Sequence, residues 1–408
     1  MTNAAAAAAP SIRCAIAGGG PAGIMLGLLL ARAGVTVAVL EKHVDFFRDF
    51  RGDTIHPSTL ELMRELGVLD DFLKLPHERV ERLSGQFGTQ RVVMADFSRL
   101  PVHCKFIAMM PQWDFLNFLA SRAAAYPGFR LMMQTEVTDL IERDGAIVGL
   151  RATTPKGQIE VDAGLVVGAD GRGSVVREKA GLPVLDLGAP MDVLWFKLSR
   201  APTDTPESMG RFDAGRIFIA INRGAYWQCG YVIAKDSIER VRAAGLPAFR
   251  ASVAEAAPYA RDRVGEIADW NDVKLLTVRV DRLRKWWRDG LICIGDAAHA
   301  MSPIGGVGIN LAVQDAVATA NLLAAPLRAG RLAASDLSRV QQRREFPTRV
   351  TQNVQLFLQR RLVQRALGNA APVEAPLVIR LATRLPFLSR LTARLLGLGV
   401  RPEHIAKT

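Results

Sequence analysis

Two hydrophobic periods alternate along the chain. A short apolar run, Ile12 to Ala17, leads through three glycines into a helical stretch from Pro21 to Ala33. Gly34 stops it, and a second apolar run, "VTVAVL" from Val35 to Leu40, follows with Glu41 directly behind. The pattern predicts strand, helix, strand: a βαβ opening. "HPSTLELMRELG" predicts a helix with Pro57 just ahead of it, Ser58 and Glu61 at capping-box spacing and Gly67 as its stop. In "PQWDFLNFLASRAAA", Phe115, Leu116, Leu119 and Ala123 recur on one side of a helix. "FRLMMQTEVTDLIERDGAIVGLRATT" and "GQIEVDAGLVVGADG" alternate as strands. From about Val184 to Asp281 the period is two, and "RIFIAINRGAYWQCGYVIAKD" predicts a hairpin turning at Asn222, Arg223 and Gly224. On its second strand Tyr226, Gln228, Gly230 and Val232 share one face, and Trp227, Cys229, Tyr231 and Ile233 the other. "GLICIGDAAHAMSPIGGVGINLAVQDAVATANLLA" then returns to strand, glycine-rich loop and long helix. After Val350 the helices are interrupted by Pro372, Pro376 and Pro386, the last dividing the tail into two short helices.

These textures predict an α/β protein in three parts. A discontinuous Rossmann-like domain takes residues 10–75, 105–183 and 282–350, and an antiparallel-sheet module takes 76–104 and 184–281. Residues 351–408 form a helical, basic tail. A length of 408 residues agrees with more than one core.

Charge changes the picture only at the end of the chain. The net charge is +12, and from Arg360 onward nine basic residues face two acidic ones, so this segment carries +7 of the total. No helix-turn-helix, zinc-finger or RNP pattern accompanies the charge, which argues against nucleic acid. Cys14, Cys104, Cys229 and Cys293 have neither CxxC nor metal-ligand spacing, so no metal is expected and a reducing cytoplasmic compartment fits. "MTNAAAAAAP" makes a poor signal peptide, and no run of eighteen or more residues reads as apolar enough to span a membrane.

Candidate chemistry begins at Gly18, Gly20 and Gly23, a G-x-G-x-x-G between strand and helix. The first glycine permits the tight turn, the second lets backbone approach a pyrophosphate, and the third lets helix pack close to strand. The helix N-terminus favours phosphate. Glu41, eighteen residues past Gly23, is placed to accept hydrogen bonds from a ribose diol. This loop predicts a dinucleotide and leaves NAD and FAD equally open.

The second glycine-rich loop, "ICIGDAAHAMSPIGGVGINLAVQDA", resembles a motif of the FAD-dependent monooxygenases related to para-hydroxybenzoate hydroxylase. "VVGADGRGSVVREKAGL" resembles the same family's middle motif at Asp170, Gly171, Arg172, Ser174 and Arg177. With the first loop, the three motifs stand in the family's order from Ile12 to about Leu323. The resemblance implies a para-hydroxybenzoate hydroxylase-like fold holding FAD. Asp296 would meet the ribityl chain, and backbone at Gly308, Ile309 and Asn310 the isoalloxazine ring. It further implies Arg51 near flavin or pyrophosphate, Gln112 on FAD, Val137 backbone at adenine, and Asp170 in support of FAD and NAD(P)H. Pro303 would shape the loop on the substrate side.

In that family NAD(P)H reduces FAD, O2 adds, and a flavin hydroperoxide hydroxylates the substrate. The implied protein is a cytoplasmic oxidoreductase acting on an aromatic, quinone-like or polyketide-like small molecule. No side chain is assigned as acid, base or nucleophile, because the cofactor carries that chemistry. His299 and His56 read as packing and helix-start residues, while Tyr226 and Gln228 are the candidates for substrate contact. An isoprenoid-type reductase and a non-catalytic flavin sensor are the alternatives. The tail, with Leu377, Leu381, Leu385, Leu388, Leu391 and Leu395 at helical spacing and the pairs Arg380/Arg384 and Arg390/Arg394, reads as a packed helical layer. A second reading is weak docking on an anionic membrane.

Overall fold

The fold is described from a computed structural model, for residues 12–47, 54–205, 207–213, 215–363 and 386–406. A six-stranded sheet runs Trp287–Arg288, Leu291–Cys293, Val166–Gly168, Cys14–Ala17, Val37–Leu40, Phe129–Met132. Its inner strands are parallel, with Ile16 opposite both Val39 and Val167, and only the edge strand Trp287–Arg288 is antiparallel. Alternation sorts the side chains. Cys14, Ile16, Val37 and Val39 pack under the helices Pro21–Arg32, Gln112–Ala123 and Gly308–Ala329. Ala15, Ala17, Ala38 and Leu40 pack against an antiparallel three-stranded sheet, Glu136–Arg143, Ala146–Thr154 and Gly157–Asp162. A parallel sheet covered on both sides explains why its strands read as continuous apolar runs.

A seven-stranded sheet stands apart from it, in the order Lys274–Leu276, Met191–Ser199, Tyr226–Ala234, Arg216–Asn222, Met209–Asp213, Arg82–Phe87, Gln90–Asp96. All its pairings are antiparallel except Met209–Asp213 with Arg82–Phe87. One face carries Phe196, Phe218, Trp227, Cys229 and Ile233 beneath the helix Leu246–Ala256. The other carries Val193, Trp195, Ile217 and Val232, and Ile304 of the second glycine loop packs on it. The predicted hairpin and its division of faces are therefore observed.

Two expectations need correction. Ser58 and Glu61 form no capping box: His56 is the N-cap of Pro57–Glu65 and makes no side-chain cap. Ser58 points into the core toward Asn310, while Glu61 binds Arg64 and the backbone of His103. Ser58 donates to a tertiary acceptor and leaves the local amides of the first turn without its cap. Secondly, among the described residues one helical stretch, Ile304–Ala329, which contains the helix Gly308–Ala329, is long and apolar enough to cross a membrane, but most of it is buried inside the fold. Pro386 opens the helix Pro386–Gly397, and the stretch before it, where the first of the two expected tail helices would fall, lies outside the described residues. Ala393 of this helix is fully buried, and Thr392 Oγ1 donates to the Met94 carbonyl at 2.8 Å, pinning it to the edge strand Gln90–Asp96. Leu391 and Leu395 point outward, while Leu377, Leu381 and Leu385 lie outside the described residues.

Candidate active site

The first glycine loop is shaped by close approach. Gly18 has φ +101°, and a Cβ there would lie 2.4 Å from the Ala169 carbonyl oxygen. A Cβ on Gly23 would lie 1.9 Å from the Gly18 carbonyl oxygen. Neither position admits a side chain. A Cβ at Gly20, the N-cap of Pro21–Arg32, would meet nothing within 4 Å, so the backbone at this helix N-terminus is open to close approach. Its first amides have no partner within the helix. Glu41 is buried at the end of its strand; Oε2 accepts from the Gly19 amide at 2.8 Å and Oε1 from His43 at 3.1 Å. The carboxylate therefore braces the loop from beneath.

The middle motif approaches from the neighbouring strand. Asp170 accepts from Ser174 Oγ at 2.5 Å and from the Val176 amide at 3.1 Å, and burial pushes its carboxyl up. Both oxygens thus brace the turn into the short helix Val175–Lys179, whose N-cap is Ser174, while the Asp170 backbone backs Gly18. Arg172 leaves this turn and meets Asp296, Nε to Oδ2 at 3.0 Å. Asp296 is about one-third exposed, with a side-chain accessibility of 33%, and Arg172 has 29%. The pair joins the middle and last motifs at the open side of the site.

The second glycine loop is held from two sides. From the segment 54–59, Thr54 Oγ1 donates to the Gly306 carbonyl at 2.7 Å, and His56 Nε2 lies 3.1 Å from the same oxygen. Ser58 and Thr59 both donate to Asn310 Oδ1, at 2.6 and 2.8 Å. From the helix Ala334–Leu358, Gln355 Nε2 donates to the carbonyls of Ser302 and Ile304, and its Oε1 accepts from the Ser302 amide. Gly306 donates to the Pro303 carbonyl at 3.0 Å, closing the turn that Pro303 begins. Gly308 again has nothing within 4 Å of its missing Cβ. Two helix N-termini are therefore open to close approach, one at each loop, as a long dianionic cofactor with a polar ring would require.

Beneath this loop lies a buried chain of charges. Asp315 Oδ2 meets His299 Nε2 at 2.6 Å and accepts from the Gly295 amide at 3.0 Å, while Oδ1 accepts from Arg344 Nε at 2.8 Å. Burial alone would raise the Asp315 carboxyl, but His299 and Arg344 overcome it and hold the group below the usual carboxylate range. Glu403 joins Arg344 at 3.3 Å and Arg343 at 2.7 Å.

The remaining predicted residues divide. Ile309 and Asn310 are buried in the first turn of the long helix, and Gln112 is half-buried in the first turn of its own. Val137 is core, paired with Ala152. Gln228 is buried and accepts from Arg223 Nε at 3.1 Å. The half-buried Tyr226 ring lies 5.4 Å from Lys197 Nζ. Arg51 lies outside the described residues. Sequence reasoning missed Thr54, Thr59, Asp315, Arg344, Gln355 and Trp195. Trp195 is buried against Gly230 on the sheet face toward Ile304, and its indole N–H has no partner among the described residues. Only the glutamines at 352, 355 and 359 left a signal, a polar row at helical spacing.

Residues 11–354 match the family described as FAD binding domain. The chain is 32% identical to 6-methylpretetramide 4-monooxygenase of Streptomyces rimosus, over 91% of this chain and 88% of that one. It is 26% identical to digeranylgeranylglycerophospholipid reductase 2 of Methanothermobacter thermautotrophicus, over 87% of this chain and 88% of the other. Several other curated relatives are longer, and the chain spans 60–61% of them. Among solved structures, the anhydrotetracycline hydroxylase OxyS of Streptomyces rimosus superposes with a TM-score of 0.74 at 24% identity, covering 97% of this chain and 78% of that one. The strand–glycine–helix opening, the carboxylate behind it and the second loop facing the antiparallel sheet agree with these likenesses: the chain belongs to the FAD-binding family of flavoprotein monooxygenases related to para-hydroxybenzoate hydroxylase.

Proposed function

We propose that the protein uses NAD(P)H and O2 to hydroxylate an aromatic or polyketide-like small molecule. The observation that carries this reading is the likeness to 6-methylpretetramide 4-monooxygenase over nearly the full length of both chains. Gly18, Gly20, Gly23 and the amides that follow would hold the pyrophosphate, and Glu41 the ribose. Asp296, Gly308, Ile309 and Asn310 would hold the flavin end. Gln112, Val137 and Asp170 are proposed to support FAD, Arg51 its pyrophosphate, and Pro303 the loop's shape. Bound there, FAD would supply electron transfer from nicotinamide and delivery of one oxygen atom.

What the chain itself would do is position and exclude. Residues 10–75, 105–183 and 282–350 would carry the cofactor, and 76–104 with 184–281 would supply the substrate floor. The sheet face of Val193, Trp195, Ile217 and Val232 is apolar, which suits a flat polycyclic molecule and keeps water from the reacting face. The unpartnered Trp195 N–H suits a substrate oxygen, with Gln228 and Tyr226 at the same face's end. Arg172 and Asp296, still partly exposed, would part as the ribityl chain enters.

The test is a panel of polyketide and phenolic compounds, scored for stimulated NAD(P)H consumption and for product mass under ¹⁸O2. Label in the product supports hydroxylation. A saturated, unlabelled product would favour the reductase reading, which the reductase relative of nearly equal length keeps open. A yellow protein that no nicotinamide reduces would favour a sensor.

A further inference from the structure

His56 stands between two elements in an environment that one protonation state cannot satisfy. Its ring is fully buried, with Nδ1 2.8 Å from the Leu396 carbonyl oxygen and Nε2 3.1 Å from that of Gly306. Both neighbours are acceptors only. A neutral imidazole has one N–H and one lone pair, so one of these contacts sets lone pair against lone pair. An imidazolium donates to both. Neither carbonyl is free to turn away: Thr54 Oγ1 also holds Gly306, and Leu396 belongs to the helix pinned on strand Gln90–Asp96.

Burial works the other way. It pulls the His56 ring down to about 4 despite the two carbonyls. Among the described residues no ionisable side chain offsets that loss of water. Glu61 and Arg64 on its own helix bind one another. The strand Ile107–Met109 and the loop 302–308 carry no charge, and Arg390 and Arg394 of the C-terminal helix are exposed. Asp315 on the long helix is committed to His299 and Arg344. The geometry is built for a cation, and among the described residues no anion stands beside it.

We propose that this anion is the reduced flavin ring, and that His56 takes up a proton from solvent when bound FAD accepts two electrons. The proposal rests on reading residues 303–310 as the flavin loop. Two electrons and one proton convert the ring to its anionic reduced form, and a second proton goes to the unprotonated nitrogen of His56. Attraction between the new charges is strong because the interior excludes water. Once charged, His56 donates to Gly306 and Leu396 together and ties the C-terminal helix to the loop. His56 is thus a positioning residue whose grip follows the redox state.

The test is a potentiometric titration of the FAD-loaded protein across the neutral pH range, read by flavin absorbance. One proton more per two electrons steepens the fall of midpoint potential with pH by about 30 mV per unit. His56→Gln, which keeps a donor for one carbonyl, should lose that increment. Thr54→Val, which removes the companion hydrogen bond but no titrating group, should keep it. Equal slopes in the wild type and FAD-replete His56→Gln overturn the proposal. Should His56→Gln fail to fold, NMR of ¹³C-labelled histidine in the wild type decides: a neutral-to-imidazolium shift of one buried ring on reduction supports it, and no shift overturns it. Protein that binds no FAD overturns the flavin reading itself, and this proposal with it.

Discussion

Gly20 and Gly23, three residues apart, answer to opposite constraints. A Cβ at Gly23 would collide with backbone, whereas one at Gly20 would enter empty space. Gly23→Ala should therefore cost about 1–3 kcal/mol of stability even without cofactor. Gly20→Ala should leave denaturant unfolding of the cofactor-free protein unchanged, yet weaken FAD binding at least about tenfold, about 1.4 kcal/mol, in a fluorescence titration. Asp315 is the other residue on which much depends. Asp315→Asn leaves Arg344 buried with one fewer partner and should cost about 3–5 kcal/mol by chemical unfolding. Because the native carboxyl titrates below its unfolded value, its contribution is present above the ordinary carboxylate range. It fades as pH falls toward and through the lowered native value, so wild type and Asp315→Asn should converge in acid. Gly18, Gly20, Gly23 and Glu41 were legible because their spacing is local. Asp315 was not, since a lone aspartate in an apolar helix announces no partner.

Elements show why local rules failed where they did. Ser58 has the spacing of a cap but serves Asn310, some 250 residues away in sequence. A buried acceptor left without a donor loses about 1–3 kcal/mol, more than an exposed cap returns. The same cost should appear when the helix Ala334–Leu358 lets go of the loop. Gln355→Leu removes hydrogen bonds to the Ser302 and Ile304 carbonyls and to the Ser302 amide. It should lower the melting temperature by several degrees and loosen FAD, measured as flavin released on dilution. The C-terminal helix makes a comparable case. Its leucines and arginines gave no hint that Ala393 is fully buried, so Ala393→Asp should destabilise the protein, whereas Arg390→Ser should not.

At the scale of the whole molecule, the second glycine loop meets the seven-stranded sheet where Ile304 packs on the face of Trp195 and Val232. Trp195→Phe keeps the ring but removes the unpartnered N–H. It should leave FAD content unchanged while raising substrate KM and the share of NAD(P)H oxidised without product. Unchanged coupling would remove Trp195 from the substrate side. The chain alone determined the βαβ opening, the helix of Phe115 to Ala123, the hairpin at Asn222 to Gly224 and the two glycine loops, because hydrophobic period, turns and glycine spacing are properties of neighbouring residues. Tertiary structure alone decided that Ser58, Thr59, Gln355 and His56 converge on one loop, and that Arg172 meets Asp296. Those outcomes depend on which distant donors and acceptors folding deprives of water, and a buried polar group must pair with whatever the packing brings beside it.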